Sequence, residues 1–217
     1  MSVFVSELPS FILRPYGRCA WLVEGLSTEW MSQLVHMLNR SDQSPLEFIE
    51  YSVGFERLML CFGSPVEEAI VHAWVESLFL CERCSNSVLT EAVKIPVVYD
   101  GPDLDFVFQV TGLSRDVVIE LHSSPIYRVR MIGFTPGFPY LDGLDVSLQI
   151  PRRKSPRNRI LAGSVAIGGP HAGVYSVASP GGWHLLGRTV SLIFDSGKAK
   201  GIELDLKDGS FRAWFCR

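Results

Sequence analysis

The chain has 217 residues, 47% of them hydrophobic, enough for one large or two small domains whose cores need no cross-links. Lys and Arg total 20 against 23 Asp and Glu, and a net charge of −3 offers no general attraction for a phosphate backbone, which excludes nucleic acid as the expected partner. The five cysteines (Cys19, Cys61, Cys81, Cys84 and Cys216) lack the dense even spacing of a secreted scaffold, and neither a cleavable leader nor a membrane-length apolar run is visible, so a soluble cytoplasmic protein is expected.

Two apolar runs, Phe11-Ile12-Leu13 and Cys19-Ala20-Trp21-Leu22-Val23, flank Pro15-Tyr16-Gly17 and predict a hairpin. A helix follows, capped by Ser27, with Trp30, Leu34, Met37 and Leu38 on its buried face. The pattern then repeats. Leu46 to Val53 and Arg57 to Phe62 form a second hairpin around Gly54, and Ser64-Pro65-Val66-Glu67 reads as a helix start with a hydroxyl cap, a proline and a glutamate three residues on. Ile70, Trp74, Leu78 and Cys81 continue that helix along one apolar face. Cys81 and Cys84 form a lone CxxC without a second pair, and His72 reads as a solvated helix residue, so no metal is expected. Two strand pairs each followed by a helix predict an α+β domain over residues 1–90.

The boundary is placed near residue 90, in the polar stretch before a strand at Val93 to Tyr99. Asp103 is expected to cap a short helix that turns Leu104, Val107 and Phe108 inward and stops at Gly112; Ser114 caps a second, running to about His122 before Pro125. Tyr127, Val129 and Met131 then alternate with Arg128 and Arg130 as in a half-buried strand. Further short strands are expected at Ser164 to Ile167, Gly173 to Val177, Leu185 to Leu186, Val190 to Phe194 and Ile202 to Leu206, which predicts a mainly-β barrel or sandwich over residues 91–217.

Signals for function crowd between His122 and Thr189. Gly133-Phe134-Thr135-Pro136-Gly137-Phe138-Pro139-Tyr140 alternates aromatic residues with backbone-restricting ones, a rigid loop with aromatic walls. Pro151-Arg152-Arg153-Lys154-Ser155-Pro156-Arg157 places guanidinium groups between prolines, and guanidinium grips carboxylate or phosphate in a bidentate fork. In Gly163-Ser164-Val165-Ala166-Ile167-Gly168-Gly169 and Ser179-Pro180-Gly181-Gly182-Trp183, small side chains would let backbone amides approach a ligand. Singly, each motif has a plainer reading: a solvated basic run, barrel-corner glycines, a helix-end histidine at His122. Their convergence carries the expectation of a site for a small anionic ligand.

Those motifs, from Leu121-His122-Ser123-Ser124 to Ser179-Pro180-Gly181-Gly182-Trp183, resemble the PxpB/KipI family, formerly called allophanate hydrolase subunit 1. The resemblance implies an N-terminal α+β domain joined to a cyclophilin-like β-barrel. It also implies a small subunit, inactive alone, that works with a PxpC-type large subunit and a PxpA-type protein in ATP-dependent opening of 5-oxoproline to glutamate, with Mg accompanying the ATP. Gly169-Pro170-His171-Ala172-Gly173 lacks the Gly-Lys-Ser/Thr ending of a P-loop, so ATP rests on the resemblance alone. On this reading Arg152 and Arg157 hold an anionic group, His122 is the acid or base, and Phe134, Phe138, Tyr140, Ser164, Gly181, Gly182 and Trp183 line the substrate. The alternative that the resemblance carries is a KipI-type inhibitor of a sensor histidine kinase, a binding module without catalysis; prolyl isomerisation would rest on the barrel fold alone.

Overall fold

The computed structural model describes residues 8–40, 47–80, 93–191, 193 and the backbone of 212–216. Strand β1 (Ile12–Pro15) turns back into β2 (Ala20–Glu24) through Gly17, whose φ of +69° is costly for a residue with a Cβ. Helix α1 (Thr28–Arg40) starts where expected, the Ser27 Oγ accepting from the Trp30 amide. Strands β3 (Phe48–Val53) and β4 (Arg57–Phe62) close around Gly54, and helix α2 (Glu68–Leu80) completes the repeat. The antiparallel order is β1-β2-β4-β3. Leu34, Val23, Leu58, Leu60, Val71, Trp74 and Val75 form the core, each large aliphatic side chain contributing about 1.5–3 kcal/mol by its removal from water.

Two expectations for α2 need correction. The helix starts at Glu68, and it is the Glu67 carbonyl, not the Ser64 hydroxyl, that takes up the first amides, those of Ile70 and Val71. Ile70 is exposed because the buried stripe runs through Val71, Trp74, Val75 and Leu78, one helical face at i, i+3, i+4 and i+7. The predictions for Cys81 and Cys84 lie outside the described residues.

The chain divides into two compact units, the first holding the elements above and the second those that follow. In the second, β5 (Val93–Pro96) precedes helices α3 (Leu104–Thr111) and α4 (Arg115–Ser123). Gly112 ends α3 at φ +71°, its amide bonded to the Phe108 carbonyl, and Ser114 caps α4 through the Val117 amide, both as expected. Strands β6 (Tyr127–Ile132), β7 (Pro139–Asp142), β8 (Arg157–Ile160), β9 (Ser164–Gly168), β10 (His171–Val174), β11 (Ser179–Gly181), β12 (His184–Arg188) and β13 (Arg212–Cys216) follow. Seven of these strands form one sheet in the order β12-β9-β10-β7-β6-β13-β5, antiparallel except for β13 against β5.

That sheet's end strands meet. Val98, just beyond β5, exchanges reciprocal backbone hydrogen bonds with Arg188 at the end of β12 (2.8 and 3.0 Å), and the Gly101 amide donates to the Leu186 carbonyl. Only glycine fits at two points of this seam: a Cβ on Gly101 would strike the Leu185 carbonyl oxygen, and one on Gly187 that of Val98. The strand expected from Gly173 begins two residues earlier, at His171, because the turn at Gly169 (φ +60°) is tighter than the glycine spacing suggested. Val190 is an exposed loop residue and not the start of a strand. The strand expected at Ile202 to Leu206 lies outside the described residues. Among the described residues no helix is long and apolar enough to cross a membrane.

Candidate functional site

Ring contacts join most of the predicted aromatic walls. Phe138 lies at the centre, edge-on to Phe134 (5.6 Å), Tyr140 (5.1 Å), Tyr175 (5.1 Å) and Trp183 (5.3 Å). Tyr140 and Trp183 touch at 5.6 Å, and the guanidinium carbon of the exposed Arg152 sits 5.6 Å from the Trp183 ring centre. Such a cation over an indole face is a favourable electrostatic contact that still leaves the guanidinium edge for a ligand. Phe134, exposed at the loop tip, holds φ at +69°, the one non-glycine residue so placed among those described. Strain of this kind persists where neighbouring structure over-determines it, here the short turn bonds from Gly133 to Phe138.

One glycine of each motif is packed beneath the aromatic cluster. A Cβ on Gly168 would lie 2.7 Å from Trp183 Cγ, and one on Gly181 would collide with the Tyr175 hydroxyl. Gly182 has room for a Cβ; its carbonyl accepts from the Arg153 amide at 2.7 Å.

The arginine loop is fixed at three points. The His184 Nε2 donates to the Pro151 carbonyl (2.9 Å), the Arg153 amide bonds Gly182, and a buried carboxylate, Asp103, grips two guanidinium groups. Asp103 accepts from Arg153 Nη1 (2.9 Å), Arg157 Nη1 (2.9 Å), Arg157 Nη2 (2.8 Å) and the Leu185 amide (2.7 Å). Burial alone would raise its pKa, but the Arg157 fork, the Leu185 amide and the Arg153 charge outweigh it, so the carboxyl sits below the usual range. This corrects two expectations. Asp103 makes no side-chain cap on α3, and the Arg157 fork is filled by protein and not offered to a ligand. Arg152, between the anchored neighbours Pro151 and Arg153, is the guanidinium that the loop presents.

His122 and Ser164 stand apart from this cluster. His122 is fully buried, its Nδ1 2.8 Å from the Tyr99 hydroxyl, its ring against Tyr99 and Tyr127 in the larger core. Burial lowers its pKa to about 3, which favours the neutral imidazole, and the closed surroundings suit a structural histidine better than an acid or base for a bound ligand. Ser164 opens β9 opposite Arg188, four residues and roughly 13 Å up the strand from Gly168 beneath Trp183.

Sequence reasoning also passed over several residues that the fold brings to the cluster. Tyr175 lies inside it, its phenol pushed up to about 12 by burial, against the pull of the Trp183 amide and the arginines. His171, edge-on to Tyr140 at 6.0 Å, has Nδ1 2.8 Å from Asp142 Oδ1. The only sequence signal for His171 was its place in a segment set aside for failing as a P-loop.

Comparison with known proteins shows the family. Residues 11–203 fit the family described as "Carboxyltransferase domain, subdomain C and D". The 5-oxoprolinase B subunit of Haemophilus influenzae (strain ATCC 51907 / DSM 11121 / KW20 / Rd) is 45% identical over 172 residues, 78% of this chain and 80% of that protein. The 5-oxoprolinase B subunit of Escherichia coli O157:H7 is 51% identical over 115 residues, 52% of this chain and 53% of that protein, so the match spans about half of that relative's length. The crystal structure of TTHA0988 superposes with a TM-score of 0.76 at 28% identity, over 95% of this chain and 40% of that one. The chain therefore belongs to the carboxyltransferase subdomain C and D family, within the branch of the 5-oxoprolinase B subunits.

Proposed function

We propose that this chain is the B subunit of an ATP-dependent 5-oxoprolinase, opening 5-oxo-L-proline to L-glutamate together with a larger partner subunit. One observation carries the reading: a chain 45% identical to a 5-oxoprolinase B subunit presents a guanidinium over an aromatic floor. 5-Oxoproline is a small flat lactam with a carboxylate. Arg152 suits the carboxylate, and the exposed Phe134 is placed to cover the ring; Trp183 and Tyr140, buried at 4% and 8% exposure, form the packed floor that holds Arg152 in place. Arg157 and Asp103 act behind them, by holding the loop that carries Arg152.

A triphosphate calls for several converging cations or a nest of amides, whereas Arg153 and Arg157 face Asp103 and the Gly168 and Gly181 positions are packed under rings. ATP and its Mg are assigned to the partner. A partner is supported by length as well: in TTHA0988 the matched region is 40% of one longer chain, and here a separate PxpC-type subunit, with a PxpA-type protein, would supply the complementary polypeptide. We assign residues 1–90 to an α+β domain and 91–217 to a cyclophilin-like barrel, the seam at Val98 and Arg188 supporting closure. The cysteine usage suits a cytoplasmic setting.

The test is reconstitution with omission. The chain combined with its large subunit, the PxpA-type protein, ATP and 5-oxo-L-proline is expected to form glutamate and ADP, and to form neither when any one protein is left out. Glutamate formation that persists without this chain would overturn the proposal. So would kinase inhibition by this chain with no turnover, the outcome a KipI-type module gives.

A further inference from the structure

Resting on that reading, we infer that His184 is a positioning residue for the substrate, acting through Arg152 by fixing the peptide group that precedes it and so setting the affinity for the lactam carboxylate. The inference starts from how two segments lie together. The Gly182 carbonyl accepts from the Arg153 amide (2.7 Å), the Trp183 ring centre is 5.6 Å from the Arg152 guanidinium carbon, and the His184 Nε2 meets the Pro151 carbonyl (2.9 Å). Those contacts take one segment forwards and the other backwards, an antiparallel run with Arg152 at its middle. The Leu185 amide extends it by donating to Asp103 (2.7 Å), the carboxylate that grips Arg153. Both peptide groups flanking the Arg152 Cα are therefore tied, one through its carbonyl and the other through its amide. Since each peptide group is planar, the two ties set the two backbone dihedrals of Arg152 and with them the origin of its guanidinium fork.

The tie before Arg152 depends on one side chain. A carbonyl oxygen only accepts, so the His184 Nε2 carries a proton and donates it. His184 is buried, and its Nδ1 has no hydrogen-bond partner among the described residues, so the ring is oriented at one nitrogen and by one face. That face is Phe106 on α3, stacked on the imidazole at 4.9 Å and 12°. The tie after Arg152 is made by backbone atoms and is backed by Asp103. Removing the imidazole donor therefore frees the Pro151 end while Arg153 stays anchored, and Arg152 keeps its charge but loses its fixed aim. Binding to a residue that must first be ordered is weaker, and a contact made equally in the bound and reacting states appears in KM and not in kcat. His184 itself touches no substrate.

The experiment uses the full reconstituted complex. His184→Met removes the donor at similar volume and is expected to raise the KM for 5-oxo-L-proline about fivefold, with kcat and the KM for ATP each within about twofold of wild type. His184→Gln, whose amide nitrogen has the reach to donate to Pro151, is expected to bring that KM back to within about twofold. Because the effect passes through Arg152, adding His184→Met to Arg152→Ala should raise KM by less than about twofold further. Circular dichroism checks folding; should His184→Met not fold, Phe106→Ala, at a half-exposed position, takes its place and is expected to raise the same KM about threefold. A wild-type KM in folded His184→Met, or in Phe106→Ala where it stands in, overturns the inference. So does an equal rise in the methionine and glutamine variants, or full additivity with Arg152→Ala. Each of these results leaves the 5-oxoprolinase reading intact, whereas absence of turnover in the wild-type complex defeats both.

Discussion

The carboxylate of Asp103 sets the shape of the arginine loop, so Asp103→Ala is the perturbation whose size follows most directly from the structure. Deletion leaves the Leu185 amide buried without its acceptor, about 1–3 kcal/mol. It also strips the counter-charge from Arg153 and Arg157, and breaking a buried pair in this way costs about 3–5 kcal/mol. The arginine side chains are 32% and 25% exposed, however, so water takes up part of the loss and the low end applies. The expected total is about 3 kcal/mol, or on the order of 10 °C in the melting midpoint of the second unit. Urea unfolding read by tryptophan fluorescence measures it as a lower midpoint at unchanged slope. Asp103→Asn adds a pH signature. The folded carboxyl lies below its ordinary value, so its stabilisation is complete above about pH 3.9, the unfolded value, and is lost as pH falls through the folded one. The asparagine variant should lose that part of the acid limb. A loss below about 0.5 kcal/mol for Asp103→Ala would refute the reasoning.

Two more predictions concern neighbouring features. Gly168→Ala places a Cβ 2.7 Å from the Trp183 ring; it should cost about 1–3 kcal/mol by overpacking and shift Trp183 emission, whereas an unchanged melting curve would mean that the ring does not rest there. His122 is held near pKa 3 by burial against about 6.5 in the unfolded chain, so its contribution to stability is full above pH 6.5 and declines as pH falls towards 3. Its ring resonances should stay constant between pH 8 and 5 by NMR, and a midpoint inside that range would contradict the buried placement.

The repeated strand-strand-helix unit of the first half was legible because each element carries its own local signals: Gly17 and Gly54 for the turns, Ser27 for a cap, and a helical period for α1. Gly112 and Ser114 were read correctly for the same reason. What could not be read locally depends on distant partners. Asp103 looks like a cap from its neighbours, yet its ligands lie 50, 54 and 82 residues further along, and those partners decide its role. Arg157 changes from ligand clamp to scaffold through the same contact. His122 shares its helix end with many surface histidines, and only the packing of Tyr99 and Tyr127 around it reveals a sealed ring. That Phe134, Phe138 and Tyr140 would lie together was legible because the Gly-Phe-Thr-Pro-Gly-Phe-Pro-Tyr string restricts the backbone wherever it occurs. The Asp142–His171 pair was not, since it depends on a strand register and a bulge that no residue type announces.

Everything proposed for the site places the substrate carboxylate on Arg152. The direct measurement is steady-state glutamate release by the complete complex carrying Arg152→Ala, with Arg152→Lys beside it. The structure predicts a KM for 5-oxo-L-proline raised about tenfold or more in the alanine variant, partly recovered by lysine, which keeps the charge but not the fork. A KM equal to wild type in Arg152→Ala would show that the anion binds elsewhere.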